Sequence, residues 1–195
     1  MKKKLTAILI ACLCVAEAAS VAAPIAEPVT VMAATKANTK QTKKKKAPTL
    51  NKVYKAVKNT YGKNYTPSVR LSKDDANTRY GLKSEWYSGV IAELPMISVN
   101  ADELVIVKAK NADSKKKIKS ALKKYQKTQI DNTHQYPANQ LKLQGSLVYV
   151  KGNYVCFFVL GDIDSKTEQL SDEKVIAAYK KQNEKAVNAI KKLYK

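Results

Sequence analysis

Histidine, arginine and cysteine are nearly missing from this 195-residue chain, and each shortage closes off a class of chemistry. A single histidine, His134, excludes any multi-histidine metal centre and leaves few catalytic dyads. Of three cysteines, Cys12 and Cys14 fall in the N-terminal segment, so Cys156 alone remains and no internal disulfide can form there. Arginine occurs only as Arg70 and Arg79, which leaves few groups for bidentate recognition of phosphates or bases. Glycine-rich phosphate loops, G-x-S-x-G and zinc-ligand spacings are absent from the sequence. No repeat of solenoid period occurs, and no apolar stretch beyond the N-terminal segment is long enough to cross a membrane. The sequence therefore predicts no catalytic residue, no metal and no cofactor.

What is present begins with a leader. Met1 to Lys4 form a basic start, Leu5 to Val15 a mostly apolar core, and Val31-Met32-Ala33 with Ala34 an A-x-A-like processing site. This layout predicts a secretory signal peptide over residues 1–33, cleaved after Ala33. Leu9-Ile10-Ala11-Cys12 also fits the pattern at which a lipoprotein is cut and lipidated, although the apolar run before Cys12 is short. Lipid anchoring at Cys12 is therefore the alternative, and retention of the leader as an anchor a third. Glu17 interrupts the longer apolar run and argues against a stable spanning helix.

Charge is the second feature. Lysine and arginine number 36 against 16 acids, a formal net charge of +20. Residues 34–47 hold Lys36, Lys40, Lys43, Lys44, Lys45 and Lys46 with no acid and no large apolar side chain, which predicts a disordered, self-repelling linker. From Pro48 onward 27 basic and 14 acidic residues remain, so the excess is not confined to a tail.

Residues 48–195 read as one α+β domain. Thr49 opens a helix with Leu50, Val53, Tyr54, Val57 and Tyr61 on one face and Gly62 as its stop. Ser72 with Asp75 marks a second, short helix ending near Gly81. Val90 to Val99 and Leu104 to Ala109 read as strands, with Pro95 implying an edge or a bulge. Asp113 or Ser114 caps a helix whose inner face carries Ile118, Ala121, Leu122 and Tyr125. Ser146–Val150 and Tyr154–Leu160 flank Lys151-Gly152-Asn153, a hairpin signal. Ser171 caps a long final helix carrying Ile176, Tyr179, Val187, Ile190 and Leu193. The predicted fold is a four-stranded, mainly antiparallel sheet with a ββαββ core and flanking N- and C-terminal helices on one face. The last strand, apolar at every position, belongs in its interior under a helix, with Tyr149 and Tyr154 covering the other side.

Four segments carry a family resemblance: Tyr80-Gly81-Leu82, Leu94 through Glu103, Tyr136 through Gln140, and Val150 through Val155. Together they resemble the domain of unknown function 4358, a family of exported proteins and lipoproteins of Gram-positive anaerobes. The resemblance spans about residues 80–162. It implies a compartment and a lineage but no activity, so it supplies no catalytic residues.

Candidate chemistry is sparse. Cys156 lies within an all-apolar strand and reads as a small buried hydrophobe; His134 reads as exposed, near a helix end. Asp162-Ile163-Asp164 starts like a calcium loop, but Lys166 and Thr167 occupy positions that need a ligand and a glycine, so turn and cap roles fit better. Asp102-Glu103, at a strand start, is the pair of most interest as a carboxylate-dependent hydrolase site, weighed against a turn or edge role.

The stronger candidate is the helix bearing Lys115, Lys116, Lys117, Lys119, Lys123, Lys124 and Lys127, acid-free from Ser114 through Ile130. Within that run the lysines find no acid at i,i+4 and repel one another, so the choice lies between a solvated helix face and a polyanion-binding surface. With the linker lysines Lys43 to Lys46, they predict a secreted, envelope-associated, non-enzymatic domain that binds anionic wall polymer or an acidic membrane surface. The alternatives are a protein-interaction module and, less favoured, a small hydrolase. Specific nucleic-acid binding has no motif behind it.

Overall fold

The alternation of apolar residues in the two central strands dictates two cores rather than one. The computed structural model describes residues 47–195 apart from Ser98 and Thr133. The leader and Lys43 to Lys46 lie outside the described residues. The elements are α1 Leu50–Tyr61, β1 Val69–Arg70, α2 Lys73–Tyr80, β2 Tyr87–Leu94, β3 Glu103–Ala109, α3 Ala112–Asp131, α4 Pro137–Gln144, β4 Leu147–Lys151, β5 Tyr154–Val159, α5 Ser165–Glu168 and α6 Asp172–Lys192. All strand pairs are antiparallel, in the order β1-β2-β3-β5-β4.

Successive strand residues point to opposite faces. Leu104 and Ile106 of β3, with Tyr154, Cys156 and Phe158 of β5, pack on Val53, Val57 and Tyr61 of α1 and on Ala186, Val187 and Ile190 of α6. Val105, Val107, Val155, Phe157 and Val159 face the other way, onto Ala76 and Tyr80 of α2, Ile118, Leu122 and Tyr125 of α3, and Leu143 of α4. Phe157 and Phe158 are fully buried on opposite faces, each burial contributing about 1.5–3 kcal/mol. Among the described residues, every buried member of both cores lies between Val53 and Ile190, so a chain starting at Ala34 carries all of these elements.

The α+β class, the antiparallel sheet and the shared face of the terminal helices match the sequence reading. The sheet has five strands rather than four, because β1 is two exposed residues long and carries no apolar alternation to read. Helices cover both faces: α2, α3 and α4 form a second layer where only tyrosine cover was expected. Helix α4, unpredicted, begins with Pro137 at its first turn and ends at Gly145. A Cβ at Gly145 would lie 2.6 Å from Cβ of Tyr179 and 3.0 Å from the backbone nitrogen of Lys180, so the glycine sets how closely α4 approaches α6.

Caps and turns follow local chemistry. Thr49 Oγ1 accepts from the Lys52 amide at 3.2 Å, and Ser72 Oγ from the Asp75 amide at 3.1 Å. Helix α3 is capped two residues before Asp113, by Asn111, whose Oδ1 accepts from the Ser114 amide at 2.8 Å. Gly152 sits at φ 56° in the β4–β5 hairpin, as the hairpin signal required. Pro95 follows the last residue of β2 and ends the strand. No helix among the described residues is long and apolar enough to cross a membrane.

Candidate functional site

Helix α3 buries Ser114, Ile118, Leu122 and Tyr125, which leaves its lysines outside. Lys116, Lys117, Lys119, Lys123, Lys124 and Lys127 are exposed, while Lys115 is half-buried and donates Nζ to the Gly152 carbonyl at 3.1 Å. Among the described residues acids compensate the row only at its ends: Asp113 lies 3.8 Å from Lys116, and Asp131 lies 2.6 Å from Lys127. From Lys115 to Lys127 the helix rises about 18 Å, more than two Debye lengths at physiological salt. The ridge thus acts on ligands that approach it closely. Exposed lysines also line the other helical layer, at Lys52, Lys55 and Lys58 on α1 and Lys180, Lys181 and Lys185 on α6.

The acids on the sheet are engaged. Asp102 and Glu103, adjacent in sequence, belong to separate networks. Glu103 Oε1 accepts from Arg79 Nε at 2.9 Å, Tyr80 hydroxyl at 2.6 Å and Tyr125 hydroxyl at 3.0 Å. Burial pushes both phenols up, and the neighbouring Glu103 carboxylate adds to it. Burial opposes the Arg79 charge, but Glu103 together with Tyr125 and Tyr80 outweighs it and raises the guanidinium. Asp102 instead faces Lys142 of α4, with Oδ1 2.5 Å from Nζ, both side chains almost wholly buried. The Thr66 hydroxyl donates to Asp102, and the exposed Asp162 takes a second contact from Lys142 at 2.8 Å. Burial pushes the Asp102 carboxyl up against the opposing pull of Lys142. Two carboxylates fixed by separate cations do not form an acid/base dyad.

Glu93 repeats the Glu103 arrangement on the α1 side: Tyr54 hydroxyl donates to it at 3.0 Å, Tyr65 hydroxyl at 2.6 Å and Arg70 Nη2 at 2.7 Å. Both arginines of the chain are therefore pinned to buried glutamates, each flanked by two tyrosines. Sequence reading missed this use of Arg70, Arg79 and Lys142. The one available signal was the scarcity of arginine among so many lysines, since a planar fork suits a buried carboxylate better than an ammonium does.

The remaining candidates resolve simply. Cys156 is fully buried, and burial pushes its thiol well above the usual range. His134 is exposed beyond the end of α3, and its ring Nδ1 lies 3.3 Å from Asn132 Oδ1. Asp164 caps α5, accepting from the Thr167 amide at 2.9 Å, so the D-x-D pair divides into a cap and an ion pair.

Where β2 turns into β3, the chain opens a cleft of about 300 Å³. Arg79, Met96, Asn100, Asp102, Gln129 and Gln135 contribute to its walls. A second depression of about 350 Å³ adjoins it, shares Arg79 and Gln129, and reaches Lys124 of the ridge. Asn139 Nδ2 donates to the Val99 carbonyl at 2.8 Å and ties the first turn of α4 to the β2–β3 loop. Three of the four segments that carried the family resemblance thus meet at this end of the sheet; the fourth is the β4–β5 hairpin, beside the other end of β3.

The family described as a domain of unknown function (DUF4358) matches residues 61–160, half of the chain, and the chain belongs to it. The span starts earlier than the four segments alone indicated, taking in β1 and α2. It contains the sheet, the lysine ridge and both clefts, whereas α6 and nearly all of α1 fall outside it. No curated protein and no solved structure matches the chain.

Proposed function

We propose that this is a secreted, envelope-associated domain without catalytic function, which attaches to anionic wall or surface polymer through the α3 ridge. The observation that carries this reading is the exposed row Lys116, Lys117, Lys119, Lys123 and Lys124, with no acid between Asp113 and Asp131. A row of like charges is self-repelling, and a polyanion laid along it removes that cost and releases its own counterions. Lysine suits the task, since a hydrated point charge follows a flexible polyphosphate without needing fixed geometry. The commitment of Asp102 and Glu103 to Lys142, Arg79 and two tyrosines supports a binding role over a hydrolytic one. Export rests on the leader, and Lys43 to Lys46 extend the same charge.

The test is retention of the chain from Ala34 on purified teichoic-acid-bearing cell walls at low and high salt. Replacing Lys116, Lys119, Lys123 and Lys127 by glutamine should cut low-salt retention roughly tenfold or more, each lysine near an anionic surface being worth about 1 kcal/mol. Unchanged retention in that variant would sink the reading. A chain starting at Pro48 separates the ridge from the linker lysines.

A further inference from the structure

Most of the large exposed hydrophobic side chains among the described residues fall in two segments that contain no charged residue. Six large hydrophobic residues among those described are exposed, and four belong together: Met96 at 79%, Ile97 at 65% and Val99 at 52% in the β2–β3 loop, and Tyr136 at 62% where α4 begins. The Asn139–Val99 hydrogen bond joins the two segments. Residues 95–101 and 132–141 hold no acid, lysine or arginine, in a chain of which 27% is charged. The α3 ridge runs into this tip, since Lys124 lines the depression that shares Arg79 and Gln129 with the Met96 cleft.

We infer that the β2–β3 loop and the start of α4 form an insertion tip, and that its occupant is an anionic lipid bilayer held jointly by the tip and the α3 lysines. This rests on the proposed charge-based attachment and names the surface it serves. Apolar side chains on a protruding loop gain by entering the acyl boundary, and an uncharged backbone segment avoids carrying ions into it. Nearby lysines add attraction to anionic headgroups within a Debye length. Either contribution alone gives weak, reversible attachment; together they supply the two signals that stable peripheral binding needs. A protein partner fits less well, because lysine is depleted in protein interfaces and four exposed apolar side chains are few beside the roughly 20–30 residues a stable interface engages on each side.

The experiment uses the chain from Ala34 with Ile97→Cys labelled by an environment-sensitive dye, Cys156 being fully buried and shielded from the reagent in the fold. Vesicles of phosphatidylglycerol with phosphatidylcholine should shift the dye to the blue, and pure phosphatidylcholine should shift it far less. Met96→Asp with Ile97→Asp, in protein whose melting is unchanged, should weaken vesicle binding roughly tenfold or more while leaving cell-wall retention intact. An unshifted dye on bound protein, or equal binding by the doubly substituted chain, overturns the insertion tip and leaves the charge reading standing. Retention on walls without binding to anionic vesicles also overturns it, in favour of polymer alone. Glutamine substitution of the α3 lysines with no effect on walls or vesicles removes the charge reading, and with it the joint attachment proposed here.

Discussion

Replacing Lys142 by methionine isolates the energetics of the buried pair at the cleft. Asp102 is 1% exposed and Lys142 6%. Removing the ammonium leaves a carboxylate in the interior with the Thr66 hydroxyl as its remaining side-chain donor. Breaking a buried pair on one side costs about 3–5 kcal/mol, far more than an exposed pair would. For a domain of this size that lowers the melting temperature by roughly 6–20 °C. The loss depends on pH in a defined direction. Burial already raises the Asp102 carboxyl, and without Lys142 the Thr66 hydroxyl is left as the side-chain contact that opposes the rise. A group raised in the folded state binds its proton more tightly there than when unfolded. Its penalty is therefore absent below the unfolded carboxylate value of about 3.9 and complete above the folded one. Urea unfolding followed by circular dichroism should show the largest deficit at neutral pH, shrinking as the pH falls toward 4. Adding Asp102→Asn removes the stranded charge and should recover at least about 1–2 kcal/mol. A deficit below about 1 kcal/mol, one that does not change with pH, or a double variant no better than the single, would refute the reasoning.

Three other expectations follow from the same geometry. Tyr125→Phe removes a hydroxyl donated to the buried Glu103 at 3.0 Å and should cost about 1.5–3 kcal/mol in urea unfolding; a loss within error would mean that the carboxylate is already satisfied by Arg79 and Tyr80. Gly145→Ala places a Cβ 2.6 Å from Tyr179 Cβ at the α4–α6 approach and should destabilise by about 1–3 kcal/mol, whereas a neutral effect would show that the two helices separate freely. Cys156 should resist thiol reagents in the native state and react only at the rate of unfolding, since burial both encloses the thiol and disfavours the thiolate; fast native labelling would contradict the packing of β5 beneath α1 and α6.

Much of the fold was legible because its signals are local. Thr49, Ser72, Gly81 and the Lys151-Gly152-Asn153 turn act within a few residues of themselves, and their elements stand where the sequence put them. The all-apolar β5 announced an interior strand, and it lies between β3 and β4. The two-residue β1 was illegible, because a strand that short has no period and exists only through its pairing with Leu94 and Glu93. Helix α4 was hidden for a different reason. Its buried residues are Lys142 and Leu143, so charge stands where an apolar stripe would have marked a helix. The candidate ridge was visible in full as an acid-free run. The cleft was not, since its walls come from four separate stretches of chain.

The sequence by itself determined most helices and most strands, the basic surface, the buried cysteine and the exclusion of a multi-histidine metal centre. Each of these follows from composition, from spacing within one element, or from a cap and its neighbours. Only the tertiary structure decided the partners of the acids. It sent Asp102 to Lys142 and Glu103 to Arg79, placed Tyr80 and Tyr125 on one carboxylate and Tyr54 and Tyr65 on another, and gathered Met96, Ile97, Val99 and Tyr136 at a single uncharged tip. The contacts of these acids join residues 22 to 40 positions apart along the chain. Local pattern carries no record of such meetings, because the choice among many oppositely charged partners is made by how two helical layers close on one sheet.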